Sequence, residues 1–246
     1  MLRSGFRLMI SPRKIRLHDC RWHFVLAAVF VSLSAGKIAA NPELVEIKAI
    51  VPSIVVELRY ASPHNVTGRA LYPTGTRALI LPSVAQQLAN AQKFLCQYGY
   101  GLEIWDAYRP KAAQELLWQL TGKSEYIADP ENGFGSMHSW GVSVDATLVD
   151  SWGHLVSMPT GFDEFTPAAR MYYQGSDSLV RAHLRLLQIA MGGNNFYGLR
   201  IEWWHFTTVD WKKYVPYQAA KESADKSNAK PEKLKAASQK GPSSKT

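Results

Sequence analysis

The chain has 246 residues, 46% of them hydrophobic, and a formal net charge of +8. That length supplies the core of one ordinary globular domain and little more. The charge is lodged at the ends: seven of the 28 basic residues lie in 1–40 and nine beyond 211, against one and three of the 20 acids, so 41–211 is about −4. The basic pI of the whole chain is therefore no evidence of a folded domain that grips nucleic acid.

Residues 1–23 carry Arg3, Arg7, Arg13, Lys14, Arg16 and Arg21, and the apolar run 24–35 follows. The run has the length of a signal-peptide core and falls short of the ~20 apolar residues of a membrane span. The expectation for 1–40 is a secretory signal, cut after Gly36 or Ala40, that sends the protein to the periplasm or cell envelope. The alternative is an uncleaved inner-membrane anchor, because Lys37 interrupts the small residues and the basic stretch is long. Loss of Cys20 with the signal leaves Cys96 alone, a core residue with no disulfide to make. The folded domain is expected over 41–215. Residues 216–246, rich in Lys, Ala, Ser and Pro, have too little apolar surface to offset ordering entropy and read as a disordered basic tail open to transient contact with an anionic envelope.

Within the domain the pattern alternates as in an α+β fold, a single domain with a small, mainly antiparallel sheet flanked by helices. Residues 47–60 read as extended structure broken at Pro52. Residues 83–98 place Val84, Leu88, Ala91 and Leu95 at helical spacing, with Ser83 as N-cap and Gly99 as stop. A strand at 102–105 leads to Asp106 and Arg109 at a corner, and Pro110 at the first helical position opens a helix to about Leu120. A loop over 121–135 precedes a strand at 142–149 that contains Asp145. A second loop, 152–168, is followed by a helix at 178–191 with Leu179, His183, Leu186, Leu187 and Ala190 on one side, stopped by Gly192-Gly193, and a last strand is expected at 206–209.

The chemistry is concentrated in two places. One is Ser136-Met137-His138-Ser139-Trp140-Gly141-Val142-Ser143-Val144-Asp145, and the other is Glu202-Trp203-Trp204-His205. Two histidines, a nearby carboxylate and an acid three positions before the last histidine are the inventory of a hydrolytic zinc site: three ligands, an open position and a base. Positions three apart face opposite sides of a regular strand, so Glu202 and His205 share a site only if the chain turns or bulges at Trp203-Trp204. His64, His154 and His183 have no partner at ligand spacing.

Tyr60-Ala61 with Asn65-Val66-Thr67-Gly68, Trp105-Asp106-Ala107-Tyr108-Arg109-Pro110, the S-x-H-x2-G-x3-D run, Gly161-Phe162-Asp163 and the E-W-W-H ending together resemble the D-alanyl-D-alanine dipeptidases, zinc peptidases of the vancomycin-resistance and cell-wall-recycling type. The resemblance covers most of 45–210 in the same order. It implies one zinc held by His138, Asp145 and His205, Glu202 as general base, and Arg109 as the cation facing the developing oxyanion. It further implies Tyr60 and Asp163 for the substrate ammonium, and Ser136 as a substrate-binding serine. Bland alternatives stand beside these: Arg109 paired with Asp106, Tyr60 in core packing, Asp163 as a turn acid. Met137, Trp140 and Ser143 depart from the family's usual residues without touching an implied ligand.

The reading is zinc-dependent cleavage of the small dipeptide D-Ala-D-Ala in peptidoglycan turnover, with no nucleic-acid partner. A murein D,D-carboxypeptidase or endopeptidase acting on longer wall peptides, and a non-catalytic peptidoglycan-binding module, are the alternatives. The presence of both Glu202 and His205 weighs against the last.

Overall fold

The computed structural model describes residues 43–122, 125–131 and 134–214; the expected signal or anchor over 1–40 and the expected tail over 216–246 lie outside the described residues. In chain order the elements are β1 (Val45–Glu46), α1 (Ile47–Ile50), β2 (Val55–Val56), β3 (Leu79–Ile80), α2 (Pro82–Cys96), β4 (Tyr100–Asp106), α3 (Lys111–Leu120), β5 (Ser143–Asp150), α4 (Ser178–Gly192), β6 (Phe196–Leu199) and β7 (Glu202–Thr208). Short 3-10 turns at Arg59–Ala61, Met137–Trp140, Pro167–Ala169 and Trp211–Tyr214 lie between or after them.

Five strands form one sheet in the order β2-β4-β5-β7-β6, parallel between β2 and β4 and antiparallel elsewhere, while β1 and β3 pair separately. The α+β expectation therefore holds. Helices α2 and α4 pack against each other and against the sheet, with Val84, Leu88, Ala91 and Leu95 of α2 all buried as their spacing requires. Along β5 the alternation of side chains turns Val144, Ala146 and Leu148, all fully buried, away from the side that Asp145 faces.

Several local expectations give way to tertiary contacts. Residues 47–60 hold only a two-residue strand between α1 and a 3-10 turn. Helix α2 starts one residue early: Pro82 takes the first turn and buried Leu81 the N-cap, its N–H spent on the Gly141 carbonyl at 3.1 Å. Ser83 is left outside the cap and pairs with the Tyr214 hydroxyl at 2.6 Å. Pro110 is likewise the N-cap of α3 and not its first helical residue. Helix α4 is capped by Asp177, whose carboxylate accepts from the N–H groups of Leu179 and Val180 at 2.8 and 3.2 Å. Its inward face is rotated from the expected one, with Val180 and Leu184 buried and Leu179 exposed. The last strand begins at Glu202, four residues before the expected start, because the unanticipated β6 pairs with it.

Two register shifts interrupt the five-stranded sheet. Between β4 and β5, Ile104 faces Ala146 and Asp106 faces Asp145, so Trp105 is an extra residue on β4. Between β6 and β7, Gly198 faces Phe206 and Leu199 faces Glu202, so three residues of β7 are spent against a single step of β6. Each is a bulge that re-aims side chains at a strand end.

Gly141 joins the histidine turn to β5. It has φ of 67°, donates to the His138 carbonyl at 3.0 Å, and a Cβ there would lie 2.6 Å from Leu44 Cδ2. Gly141→Ala adds both a left-handed strain and a clash, and is expected to destabilise the domain by about 1–3 kcal/mol, read as a lower midpoint in thermal unfolding.

Candidate metal centre

His138 comes from the 3-10 turn that precedes β5, Asp145 from β5 and His205 from β7, where it lies directly across the ladder from Asp145. Nε2 of His138 is 3.1 Å from Nδ1 of His205, which is 3.1 Å from Oδ1 of Asp145, and that oxygen is 3.4 Å from Nε2 of His138. The other ring nitrogens are already engaged. Nδ1 of His138 meets the Ala107 carbonyl at 2.9 Å, and Nε2 of His205 meets the Thr207 hydroxyl at 3.0 Å.

With protons placed on those outer nitrogens, two lone pairs and a carboxylate oxygen converge with no hydrogen among them. Such a triangle is repulsive unless a cation joins it. Bonds of 2.0–2.2 Å in a tetrahedral zinc site put ligand atoms roughly 3.3–3.6 Å apart, close to the edges seen here. The donor set therefore fits a metal ion, and the outer hydrogen bonds are the kind that orient ligating imidazoles. The same geometry collects positive charge in other ways. Burial pulls the His138 imidazole down, and Asp145 and Asp106 together reverse this, so the net shift is upward. Burial likewise pushes Asp145 up, and the two histidines reverse this and hold its carboxyl well below the usual range.

Arg109 is almost wholly buried beside this triangle. Its Nε and Nη2 donate to Asp106 Oδ2 at 2.9 and 2.7 Å, and its Nη1 donates to Gln114 Oε1 at 2.8 Å. Nη2 also stands 3.8 Å from Asp145 Oδ2, and the guanidinium lies over the Tyr60 ring at 4.7 Å. The pairing with Asp106 is thus real, and it aims Arg109 into the site. Asp106 accepts in addition from the Tyr72 hydroxyl at 2.5 Å. Tyr72 and Gln114 were not candidates from the sequence. Gln114 could have been found from its place in the first turn after Pro110; Tyr72 lies in irregular chain with no spacing to betray it.

All eight candidate side chains line one cavity of about 340 Å³, near the lower end of the ~300–1,000 Å³ typical of small-molecule sites. On β7, Glu202, Trp204, His205 and Thr207 face it and Trp203 does not. The strand therefore changes phase between Trp204 and His205, where the sheet register slips. This is the bend the E-W-W-H spacing demands. Trp203 turns away to pack edge-on against Trp105.

Burial pushes the Glu202 carboxyl up to about 8, with His205 pulling against it. Burial raises Asp163 to about 7, opposed by the Val66 N–H, which donates to its Oδ2 at 3.1 Å. Tyr60 donates to Asp163 Oδ1 at 3.3 Å. Asp163 has φ of 58°, a conformation an aspartate tolerates better than most side chains. Ser136, also buried, precedes the histidine turn and reaches the same cavity. Of the three departures, Met137 lines the cavity and Trp140 packs against Phe134 and Trp211. Ser143 reaches His205 indirectly, pairing at 2.7 Å with the Thr207 hydroxyl that His205 contacts.

The profile of the D-ala-D-ala dipeptidase family, Peptidase M15, matches residues 40–223. The D-alanyl-D-alanine dipeptidase of Escherichia coli K12 is 37% identical over 164 residues, covering 67% of this chain and 83% of the relative. That of Enterococcus faecalis V583 is 32% identical, covering 63% and 85%, and that of Streptomyces coelicolor is 30% identical, covering 64% and 87%. The donor triangle, the buried acid beside it and the match across the whole described region lead to one assignment: this chain belongs to the D-ala-D-ala dipeptidase family and is a metallopeptidase.

Proposed function

We propose that this chain hydrolyses D-Ala-D-Ala to two D-alanines with one zinc held by His138, Asp145 and His205. The observation that carries the proposal is the convergence of two imidazole nitrogens and a carboxylate oxygen with Glu202 and Arg109 in a single small cavity. When bound there, zinc polarises the scissile carbonyl and brings the pKa of a coordinated water to about 7.

The protein's own groups supply the rest. Glu202 takes a proton from the attacking water and passes it to the leaving amine, a role favoured by a carboxyl whose burial makes it a stronger base than an exposed glutamate. A cation held beside it would lower that proton affinity again and leave the carboxylate free to accept. Arg109, clamped by Asp106 and Gln114, presents a fixed positive charge where oxygen becomes anionic, which requires no reorganisation during reaction. Asp163, steadied by Tyr60 and the Val66 N–H, receives the substrate ammonium. Ser136 offers a hydroxyl to the substrate's other end.

A buried acid kept for a free ammonium favours a free dipeptide over the amino-blocked peptides that a carboxypeptidase or endopeptidase accepts. A charge-bearing site with a general base gives the non-catalytic binding module no support. The basic and apolar pattern of 1–40 supports export, and with export a role in recovering wall-derived dipeptide, within a plan of signal or anchor, catalytic domain over 41–215 and basic tail.

Release of D-alanine from D-Ala-D-Ala by the purified protein is expected to disappear on chelation and return with one equivalent of zinc. Glu202→Gln should keep the zinc and lose ~10²–10⁴ in kcat, and N-acetyl-D-Ala-D-Ala should resist cleavage. Rapid turnover of the blocked dipeptide would move the activity to the carboxypeptidase class. Full activity in Glu202→Gln would remove the assigned base.

A second outcome concerns stability of the metal-free protein. The folded-state affinity of Glu202 for its proton is raised from the ordinary 4.5 to about 8, so between those values the unfolded chain sheds a proton that the folded one keeps. Folding is therefore penalised progressively as pH rises through that window and fully above it, at no more than about 1.4 kcal/mol per pH unit. Glu202→Gln abolishes the penalty. Thermal melts should show the variant gaining on the parent from pH 5 to pH 8, with Asp163 common to both, and zinc narrowing the gap; parallel melting curves across the window would contradict this.

A further inference from the structure

We infer that Gln114 is a positioning residue that braces the Arg109 guanidinium against the wall of the cavity, so that grip on the reacting carbonyl and the size limit on the substrate are set by one side chain; this rests on the role given above to Arg109.

Gln114 sits in the first turns of α3, is 1% exposed, and has both ends of its amide engaged. Its Oε1 accepts from Arg109 Nη1 at 2.8 Å and its Nε2 donates to the Ala128 carbonyl at 2.6 Å. Ala128 belongs to a run of cavity-lining residues that includes Glu125, Tyr126 and Ile127. Tyr126 in turn stacks on Phe165, with ring centroids 4.6 Å apart and planes 9° from parallel. Phe165 is tied through its N–H to the carbonyl of Asp163 at 3.0 Å. A continuous set of contacts thus runs from the cation at one side of the cavity, through Gln114, to 125–128 and across to the loop that holds Asp163.

The chemistry of the position is restrictive. Asp106 already occupies Nε and Nη2 of Arg109, and Nη1 is secured by Gln114. An acceptor for a guanidinium and a donor for a backbone carbonyl are needed on one short side chain, and a carboxamide supplies both. A glutamate keeps the first and loses the second. A methionine loses both. A residue present only to fill space would not distinguish these replacements by function.

The test compares Gln114→Glu and Gln114→Met with the parent in the full chain, zinc-loaded. Readouts are kcat and KM on D-Ala-D-Ala, the rate on N-acetyl-D-Ala-D-Ala, hydrogen exchange across 125–131, and the ¹⁵N signals of the Arg109 side chain. Gln114→Met is expected to lose about 10- to 100-fold in kcat through a misplaced cation, with faster exchange in 125–131. Gln114→Glu should hold kcat within about threefold, because a carboxylate still anchors Nη1. It should nonetheless show the faster exchange, a raised KM and a larger relative rate on the blocked dipeptide.

Equal loss of kcat in both variants would overturn the anchoring of Arg109, and unchanged exchange in both would overturn the link to the wall. If the Met variant does not fold, the Glu variant decides alone: kcat kept with a loosened 125–131 supports the brace, and any other pattern overturns it. Failure of the parent to cleave D-Ala-D-Ala would sink the dipeptidase reading, whereas the exchange and Arg109 signals would still decide whether Gln114 joins cation and wall.

Discussion

Asp106 has no exposed surface, and the Arg109 guanidinium closes on its Oδ2 with two nitrogens. Taking one partner from such a pair leaves an uncompensated buried charge, a cost of about 3–5 kcal/mol, far above that of an exposed ion pair. The pair is also the hub of the site. Its second oxygen accepts from Tyr72, its Oδ2 lies 3.4 Å from Nδ1 of His138, and its arginine reaches toward Asp145 and over Tyr60. The guanidinium, the His138 imidazole and the aromatic wall all meet at this one contact between strand end and helix start.

The assembled site depends on strand irregularity. Without the extra Trp105 on β4, Asp106 would not come opposite Asp145, and without the slip near the start of β7, Glu202 and His205 would face opposite sides of the sheet. A regular ladder would have better backbone pairing and no site. Here the sheet gives up regularity at two strand ends, both at the rim of the cavity, where bulges commonly redirect side chains.

That His138, Asp145, Glu202 and His205 gather in one place was legible in the sequence because few residue types bind metal or move protons, and their spacing is tight around His138 and Asp145. The three-residue step from Glu202 to His205 also revealed, by period alone, that the last strand has to bend. What the sequence carried poorly was set by partners far along the chain. Leu81 displaces Ser83 from the cap of α2 because Gly141, sixty residues on, takes its N–H. Strand β6 is only four residues long and buries only Phe196, and Leu179 fits the helical period of α4 but lies one step off the face that burial selects. Gln114 and Tyr72 act only through other side chains, so neither has a motif of its own.

The donors of the triangle are far apart in sequence: His205 is 67 residues from His138 and 60 from Asp145. No fragment ending before β7 can assemble it, because His205 lies on that strand. Metal capture is consequently a report on completed tertiary structure. A metal ion bound by all three donors can therefore be held only after the last strand has docked.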